Sequence, residues 1–363
     1  SRAQGGERGL PEDRISFAMA AMNAPASRAS QFSVVVSRSG LYPSAATSCS
    51  AALQSAVTLP VISVVTFVIM RMMPGDPVYM LLGEGQIPIT DDQIAAIRTK
   101  WGLDRPLHVQ YFVWAGNLLR GDFGESLIRA GVPVRQMIFE AIPVTALLNF
   151  YAIVLAIAVA VPFGIAAAVR RNTWVDYTAT VFSALGIATP NFWKALMFIV
   201  VFALWIPNWI GDLPLVGRIP PFGLRSWQGW ILPVLTIATE EMALLMRITR
   251  GAVLELLPQD FVRTARSKGL AERVVLYRHV VSNAMLPVVT VIGFRIAFIL
   301  SGTIIVENVF ALPGIGRLFV DSVLRLDYQV VQSLVVVFAV LVVVINLLTD
   351  MLYALIDPRI RIS

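Results

Sequence analysis

The sequence predicts an all-α membrane protein with six transmembrane helices. Of its 363 residues, 57% are hydrophobic and only 14% are charged, whereas a soluble globular domain carries about 25% charged residues. The apolar residues are concentrated in long segments, and a helix that crosses a bilayer needs about 20 residues of this kind. These observations together favour a chain that crosses the membrane several times.

Six segments have the length and apolar character of a membrane span. They cover approximately residues 53–73, 144–169, 177–205, 230–247, 286–305 and 331–355. The chain therefore divides into an N-terminal extension over 1–50, which we expect to be poorly ordered or atypical, and a transmembrane domain over 51–363.

Arginine and lysine predict the orientation, because cytoplasmic loops carry an excess of them. Basic residues follow the second, fourth and sixth predicted spans, as Arg170, Arg171, Arg250, Arg263, Arg266, Lys268, Arg273, Arg278, Arg359 and Arg361. We therefore expect both termini in the cytoplasm, a cytoplasmic loop over 248–285 and an extracytoplasmic segment over 74–143. That outer segment has mixed charge and a helical pattern over 90–101 that Gly102 would stop.

The cytoplasmic loop between the fourth and fifth spans has the pattern of two short helices. Asp260 is placed to cap the first helix, and Gly269 can end it in a left-handed turn. A second helical pattern over 272–283 leads into the next span. A loop folded in this way is better suited to being held by a partner protein than to linking two spans.

The residues that several kinds of chemistry require are missing from the sequence. None of the three lysines lies in a Gly-Lys-Ser/Thr motif that would bind phosphate. Cys49 is the only cysteine, and the two histidines, His108 and His279, have no neighbouring ligand cluster. The basic residues lie beside the spans, which argues against a nucleic acid partner. We expect no catalytic residue, no metal site and no cofactor in this chain.

Short motifs follow one another along residues 60–361. They are Pro74-Gly75-Asp76-Pro77, Gly102-Leu103-Asp104-Arg105-Pro106, Gly121-Asp122-Phe123-Gly124-Glu125-Ser126, Pro190 with Phe192-Trp193, Arg263-Thr264-Ala265-Arg266-Ser267-Lys268-Gly269-Leu270, Asn283-Ala284, Leu286-Pro287, Glu307, Pro313-Gly314-Ile315-Gly316, Asp327-Tyr328 and Asp357-Pro358-Arg359. In this order they resemble the inner-membrane permeases of ABC importers for dipeptides, oligopeptides and nickel.

The resemblance implies the type I ABC importer permease fold, with a third span broken near Pro190, in a bacterial inner membrane. It also implies a complex. A second, homologous permease would complete the translocation pathway, and two ATPase subunits or domains would bind ATP and Mg. An extracytoplasmic binding protein would deliver the substrate.

The resemblance also gives roles to the residues of the cytoplasmic loop. The part that couples to the ATPase would be Asp260, Phe261, Arg263, Ala265, Arg266, Lys268, Gly269 and Leu270. Phe261 would be an apolar anchor, Arg263 and Arg266 would contact acidic or backbone groups, and Gly269 would form the elbow. The simpler alternative is that the arginines only keep this loop in the cytoplasm.

Uptake of dipeptides or oligopeptides is the function that the resemblance implies. An alternative is an autonomous channel or gradient-driven secondary transporter, which would move solute as the purified chain alone. A membrane-embedded enzyme is a third class, but it would need a nucleophile and base or a metal cluster within the spans.

Glu240, Glu241 and Arg295 lie inside predicted spans, where the resembled family usually has small, apolar or neutral residues. Each such charge costs about 2.5–3.5 kcal/mol on insertion scales, so pairing is expected. Because adjacent helical positions differ by about 100°, we predict that only one carboxylate pairs with Arg295. The pair is either structural or leaves the other carboxylate in the translocation pathway. For Lys194 we expect a side chain that extends outward to the membrane surface.

Overall fold

The computed structural model of the protein describes residues 45–72, 98–99, 102, 104–129, 131–211, 217–224 and 226–356. Two compact units are present, one formed by Leu53–Ile356 and the other by Ser1–Ala52 with Asp357–Ser363. In the second unit, the described residues 45–52 are helical. The first unit contains all of the features that bear on function.

The described part of the chain is mostly helical, as expected. Its α-helices are α1 Ala45–Met72, α2 Leu107–Leu119, α3 Val134–Val169, α4 Trp174–Ala188, α5 Asn191–Phe198, α6 Ile206–Ile210, α7 Ile231–Leu256, α8 Asp260–Ser267, α9 Glu272–Val274, α10 Ser282–Val309, α11 Ile315–Leu324 and α12 Tyr328–Ile356. Two π-helical segments, Ile199–Trp205 and Val275–Val281, continue α5 and α9, and a 3₁₀ turn at Trp227–Trp230 precedes α7.

Four described helical segments are long and apolar enough to cross a membrane by length and composition. They are Val134–Val169, Asn191–Trp209, Glu272–Arg295 and Tyr328–Ile345. Thr58–Met72 is a shorter apolar helix. The predicted fourth span corresponds to α7, which has 26 residues and carries five charged side chains along its length. The structure therefore identifies a multi-pass membrane protein, and the count of six spans stays a prediction.

The helices differ from the predicted spans mainly at their ends. Helix α3 begins at Val134, ten residues before the predicted second span, and α7 continues to Leu256. The predicted loop over 248–285 therefore starts inside α7. The break expected near Pro190 is confirmed, because Thr189 and Pro190 are extended between α4 and α5. The first N–H groups of a helix have no acceptor within that helix, so a proline at this position removes no helical hydrogen bond. Helix α5 can therefore begin at Asn191, directly after Pro190.

Helix α7 is the centre of the first unit and packs against α3, α4, α5 and α10. The face of α3 toward the core repeats small residues at intervals of four, and all are buried: Ala152, Ala156, Ala160, Gly164 and Ala168. Small side chains let helix backbones approach closely in a bilayer, where apolar burial alone does not hold helices together. A Cβ on Gly164 would lie 2.8 Å from Cβ of Thr249, which shows how close α3 and α7 are.

The start of α12 is joined by hydrogen bonds to a distant part of the sequence. Ser126 Oγ donates to Asp327 Oδ2, and the Leu127 N–H donates to Asp327 Oδ1 at 3.1 Å. Asp327 is buried and directly precedes α12. Two short motifs that lie about 200 residues apart in sequence therefore meet at the start of the last helix.

Several sequence predictions lie outside the described residues. These are the motifs over 74–77 and 357–359, most of the extension over 1–50, and the helical pattern over 90–101 apart from residues 98–99, which are helical. Gly102, the predicted stop, has φ of +64°, a left-handed conformation that suits glycine.

Candidate functional site

The loop between α7 and α10, predicted to be cytoplasmic, contains a compact pair of helical segments joined by a glycine turn. Helix α8 spans Asp260–Ser267, and Gly269 follows with φ of +74° and open space around it. The predicted left-handed turn at Gly269 is therefore confirmed. The predicted cap is wrong, because Asp260 is the first helical residue and Gln259 occupies the cap position without a side-chain hydrogen bond. Asp260 still favours the helix, since negative charge is stabilised in the first turn.

One face of α8 is buried against the chain and the other is exposed. Val262 is fully buried and Ala265 is 6% exposed, and both pack in a cluster with Val253 and Val275. Ala265, predicted to contact the ATPase, therefore lies in the chain's own core. Phe261 is 41% exposed, so an aromatic ring lies on the open face of the loop. Arg263, Lys268 and Leu270 are exposed on the same loop.

Two arginines of the loop, Arg263 and Arg266, form ion pairs within it. Arg266 donates from Nη2 and Nε to the Glu272 carboxylate at 2.6 and 3.1 Å. This pair holds α8 against α9 across the glycine turn. Arg263 Nη1 lies 3.4 Å from Asp260 Oδ1, with both side chains largely exposed, and exposed pairs of this kind contribute about 0–1 kcal/mol. The Arg263 side chain could therefore leave Asp260 and pair with a carboxylate of a partner protein.

The loop is connected to α10 without a flexible linker. Residues 272–281 are helical and lead directly into α10, with Val275–Val281 in a π-helical arrangement. π-helical turns inside α-helices occur frequently at functional sites. The second half of the loop and α10 therefore form one continuous helical segment.

A further ion pair connects the first turn of α4 to α7. Arg250 Nη2 donates to Asp176 Oδ2 at 3.0 Å, and Arg250 Nε donates to Oδ1 of the same carboxylate. Asp176 also accepts a hydrogen bond from the Asn172 N–H at 3.0 Å. Hydrogen bonding by Arg250 holds the pKa of Asp176 below its usual value. The sequence analysis missed this pair, although Arg250 was among the basic residues assigned to the cytoplasm.

Glu240, Glu241 and Arg295, the three charges predicted to pair, form one cluster between α7 and α10. Arg295 Nη2 donates to Glu241 Oε1 at 2.6 Å and to Glu240 Oε1 at 2.9 Å, and Arg295 Nε donates to Glu241 Oε2 at 2.9 Å. The prediction of a pair between these helices is confirmed, but the prediction that only one carboxylate reaches Arg295 is wrong. The guanidinium has several N–H donors in one plane and reaches both carboxylates.

The cluster extends to α5, on the far side of the helix break. Asn191 Nδ2 donates to Glu240 Oε2 at 2.6 Å. Lys194 is 4% exposed, and its ammonium donates to the Gly186 carbonyl at 3.3 Å. The expectation that Lys194 extends outward is therefore wrong. With the restart of the helix at Asn191, both side chains face the core of the unit, where two carboxylates balance two cations.

The geometry of the cluster connects three helices and leaves one side partly open. The Glu241 side chain is 4% exposed, whereas those of Glu240 and Arg295 are 34% and 25% exposed. Glu241 is therefore the buried member of the cluster, and Glu240 and Arg295 form its partly exposed side. Among the described residues, no group of three or more His, Cys, Asp or Glu side chains is arranged to hold a metal ion.

The chain matches two family descriptions that together cover most of its length. Residues 160–362 match the family described as "Binding-protein-dependent transport system inner membrane component". Residues 49–149 match the N-terminal family described as "Binding-prot-dependent transport system membrane comp, N-term". The matched ranges include most of α1, all of α2, the two ends of α3, the charge cluster and the loop between α7 and α10.

The chain also matches two curated proteins over nearly the full length of each. The oligopeptide transport system permease protein AppB of Bacillus subtilis (strain 168) is 40% identical over 304 residues, which is 83% of this chain and 94% of that protein. The glutathione transport system permease protein GsiC of Salmonella choleraesuis (strain SC-B67) is 39% identical over 305 residues, which is 84% of this chain and 95% of that protein.

Proposed function

The chain belongs to the family of binding-protein-dependent transport system inner membrane components, and we propose on this basis that it is one permease subunit of an ATP-driven importer of short peptides. Two relatives that are about 40% identical are named as oligopeptide and glutathione permeases, and glutathione is itself a tripeptide. The subunit is not itself an enzyme. Its substrate within the peptide class, a dipeptide or an oligopeptide, is the finer part of the proposal.

The cytoplasmic loop is the observation that carries the coupling part of the proposal. Phe261 presents an aromatic ring on the open face, while Val262 and Ala265 fix the opposite face to the core. An exposed aromatic on a rigid element suits insertion into a pocket of a partner, because few rotatable bonds need to be ordered. In the proposal, α8 and the Gly269 elbow fit against an ATPase subunit, and Arg263, Lys268 and Leu270 form the edge of that contact.

The complete complex that we propose has the partners that such a permease requires. A second, homologous permease completes the pathway, two ATPase subunits or domains bind ATP and Mg, and an extracytoplasmic binding protein delivers the peptide. Six spans place both termini and the loop over 248–285 in the cytoplasm of a bacterial inner membrane. Four apolar helices and the basic residues of the loop support this arrangement.

Mechanically, the loop moves α10 because helical residues connect them without a break. Closure of the ATPase dimer would move α8, and the movement would pass through the segment 272–281 into the helix that carries Arg295. The charge cluster with Glu240 and Glu241 lies at the middle of the two helices that share the loop. The permease therefore converts a movement at its inner face into a change between helices α7 and α10.

Reconstitution of the complex in lipid vesicles tests the proposal. The tagged chain should purify with an ATPase and a second permease, and tri-alanine with the binding protein should stimulate ATP hydrolysis. Phe261→Ala should weaken the association with the ATPase, whereas Leu119→Ala, which shortens an 89% exposed side chain on α2, should not. Tri-alanine transport by the chain alone would instead support the autonomous channel or gradient-driven carrier.

A further inference from the structure

A cavity of about 460 Å³ lies between the end of α1, helix α2 and the start of α12. This is the size of a small-molecule site. The described residues of its lining include the charged side chains Arg71, Arg105 and Glu125, which together carry one excess positive charge. The cavity is separate from the charge cluster around Arg295 and from the cytoplasmic loop.

The cavity is lined by hydrogen-bond donors that lack acceptors. Arg71 Nε, Trp114 Nε1 and Gln332 Nε2 are buried and have no hydrogen-bond partner in the described part of the chain. Trp114 is 8% and Gln332 is 2% exposed. A buried polar group without a partner costs about 1–3 kcal/mol, and three of them on one cavity indicate a missing acceptor.

The walls of the cavity are fixed by aromatic packing. The Trp114 ring lies 6.0 Å from Phe67 and 6.1 Å from Tyr111, measured between centroids. The Arg71 guanidinium lies over the Phe67 ring at 5.3 Å, and no carboxylate among the described residues forms an ion pair with it. A guanidinium held by a ring and not by a carboxylate keeps its N–H groups available for an anionic ligand.

We propose that this cavity binds the terminal carboxylate of a short peptide, with Arg71, Trp114 and Gln332 as donors to its oxygens. Three donors from three helices can surround one oxyanion, and Arg71 supplies the opposite charge. Glu125 lies on the same lining and offers a partner for the ammonium end of a peptide. The inference rests on the proposed function, because it assigns a second peptide contact to the same permease.

Binding of tri-alanine and of tri-alanine amide to the intact importer tests the inference. The complex without its binding protein is placed in phosphatidylcholine nanodiscs, and both affinities are measured by calorimetry. The free acid should bind about 10- to 100-fold more tightly than the amide, as expected for a charge-assisted hydrogen bond. Arg71→Gln should reduce this ratio to about one, whereas Arg120→Gln, an exposed arginine at the end of α2 outside the lining, should leave it unchanged.

Two further variants separate a binding role from a structural one. Trp114→Phe keeps a ring in the aromatic cluster and removes only the N–H, and Gln332→Leu removes an unpartnered polar group. Both should lower the affinity for the free acid while the melting temperature stays unchanged or rises. Loss of affinity that follows loss of thermal stability in both variants would contradict the proposal.

Three other outcomes would contradict the peptide assignment, this inference alone, or the proposed function. If the amide binds as tightly as the acid, or if inorganic phosphate or phosphatidylglycerol in the nanodiscs displaces tri-alanine equally well, the peptide assignment is wrong. If tri-alanine stimulates the importer but Arg71→Gln leaves the ratio unchanged, only this inference fails. If no peptide stimulates the importer, the proposed function itself fails.

Discussion

Thr145 Oγ1 donates a hydrogen bond to Glu307 Oε1 at 2.6 Å, between α3 and α10 and across 162 residues of sequence. Oε2 of the same carboxylate accepts the N–H groups of Gly316 at 2.8 Å and Arg317 at 3.1 Å, in the first turn of α11. Glu307 is fully buried. A single carboxylate therefore fixes the start of α11 against two helices of the transmembrane domain, where negative charge is favoured by the helix dipole.

Replacement of Glu307 by alanine should destabilise the protein strongly. The change leaves the two backbone N–H groups of α11 without an acceptor, at a cost of about 2–6 kcal/mol for the pair. Glu307→Gln keeps one carbonyl oxygen for them and should cost less. Melting temperatures of the detergent-purified protein measure both effects. Glu140→Ala removes an exposed carboxylate of α3 and should have little effect, and an equal loss for that control would contradict the role of Glu307.

Replacing Arg295 alone should destabilise the protein more than replacing both Arg295 and Glu241. Arg295→Met leaves two carboxylates between α7 and α10 without their cation, and breaking a buried pair costs about 3–5 kcal/mol. Glu241→Leu with Arg295→Met replaces the pair by apolar side chains and should recover most of the loss. The yield of assembled importer and its melting temperature provide the measurement. A double variant no better than Arg295→Met would show that the pair is not a unit, and Arg247→Met serves as the exposed control on α7.

Introduction of a methyl group at Gly186 should separate α4 from α7. A Cβ built at this glycine lies 2.6 Å from the Cβ of Ala243, which is closer than real contacts allow. Overpacking of this kind costs about 1–3 kcal/mol, so Gly186→Ala should lower the melting temperature. Adding Ala243→Gly should restore it. Gly251→Ala is the matched control, because this exposed α7 glycine has open space around it and alanine favours a helix by about 1 kcal/mol.

The ion pair of Asp176 and Arg250 predicts a defined pH dependence. Arg250 lowers the pKa of Asp176, so the stabilisation is present above the ordinary aspartate pKa of about 4 and is lost only as the pH falls below it. The difference in melting temperature between the protein and Asp176→Asn should be constant from about pH 8 to 5 and should shrink in more acidic buffer. A difference that disappears near neutral pH would contradict this assignment.

The backbone conformation of Gly269 should affect peptide-stimulated ATP hydrolysis more than it affects folding of the permease. Its φ of +74° is unfavourable for a residue with a side chain, although no neighbouring atom obstructs a Cβ. Gly269→Ala should therefore leave the amount of folded permease nearly unchanged and reduce peptide-stimulated ATP hydrolysis by the complex. Full stimulation in this variant would show that the elbow has no role in coupling.

Local patterns in the sequence predicted the membrane class, the helical content and the turn at Gly269. Each follows from a property of one segment: an apolar run, a helical pattern, or a residue without a side chain. The break at Pro190 was predicted by the family resemblance. The identity of the family also came from local motifs, whose order along the chain is visible without any contact between them.

The tertiary structure alone decided which charged groups share a site. The prediction from helical angles allowed Arg295 one carboxylate, but the length and planarity of its guanidinium gave it both Glu240 and Glu241. The direction of Lys194 depended on how α5 restarts after the break. Glu307 and Asp327 each have a partner more than 150 residues away in sequence. Such partners depend on helix packing, because hydrogen bonds act over a few ångströms in space and leave no periodicity in the sequence.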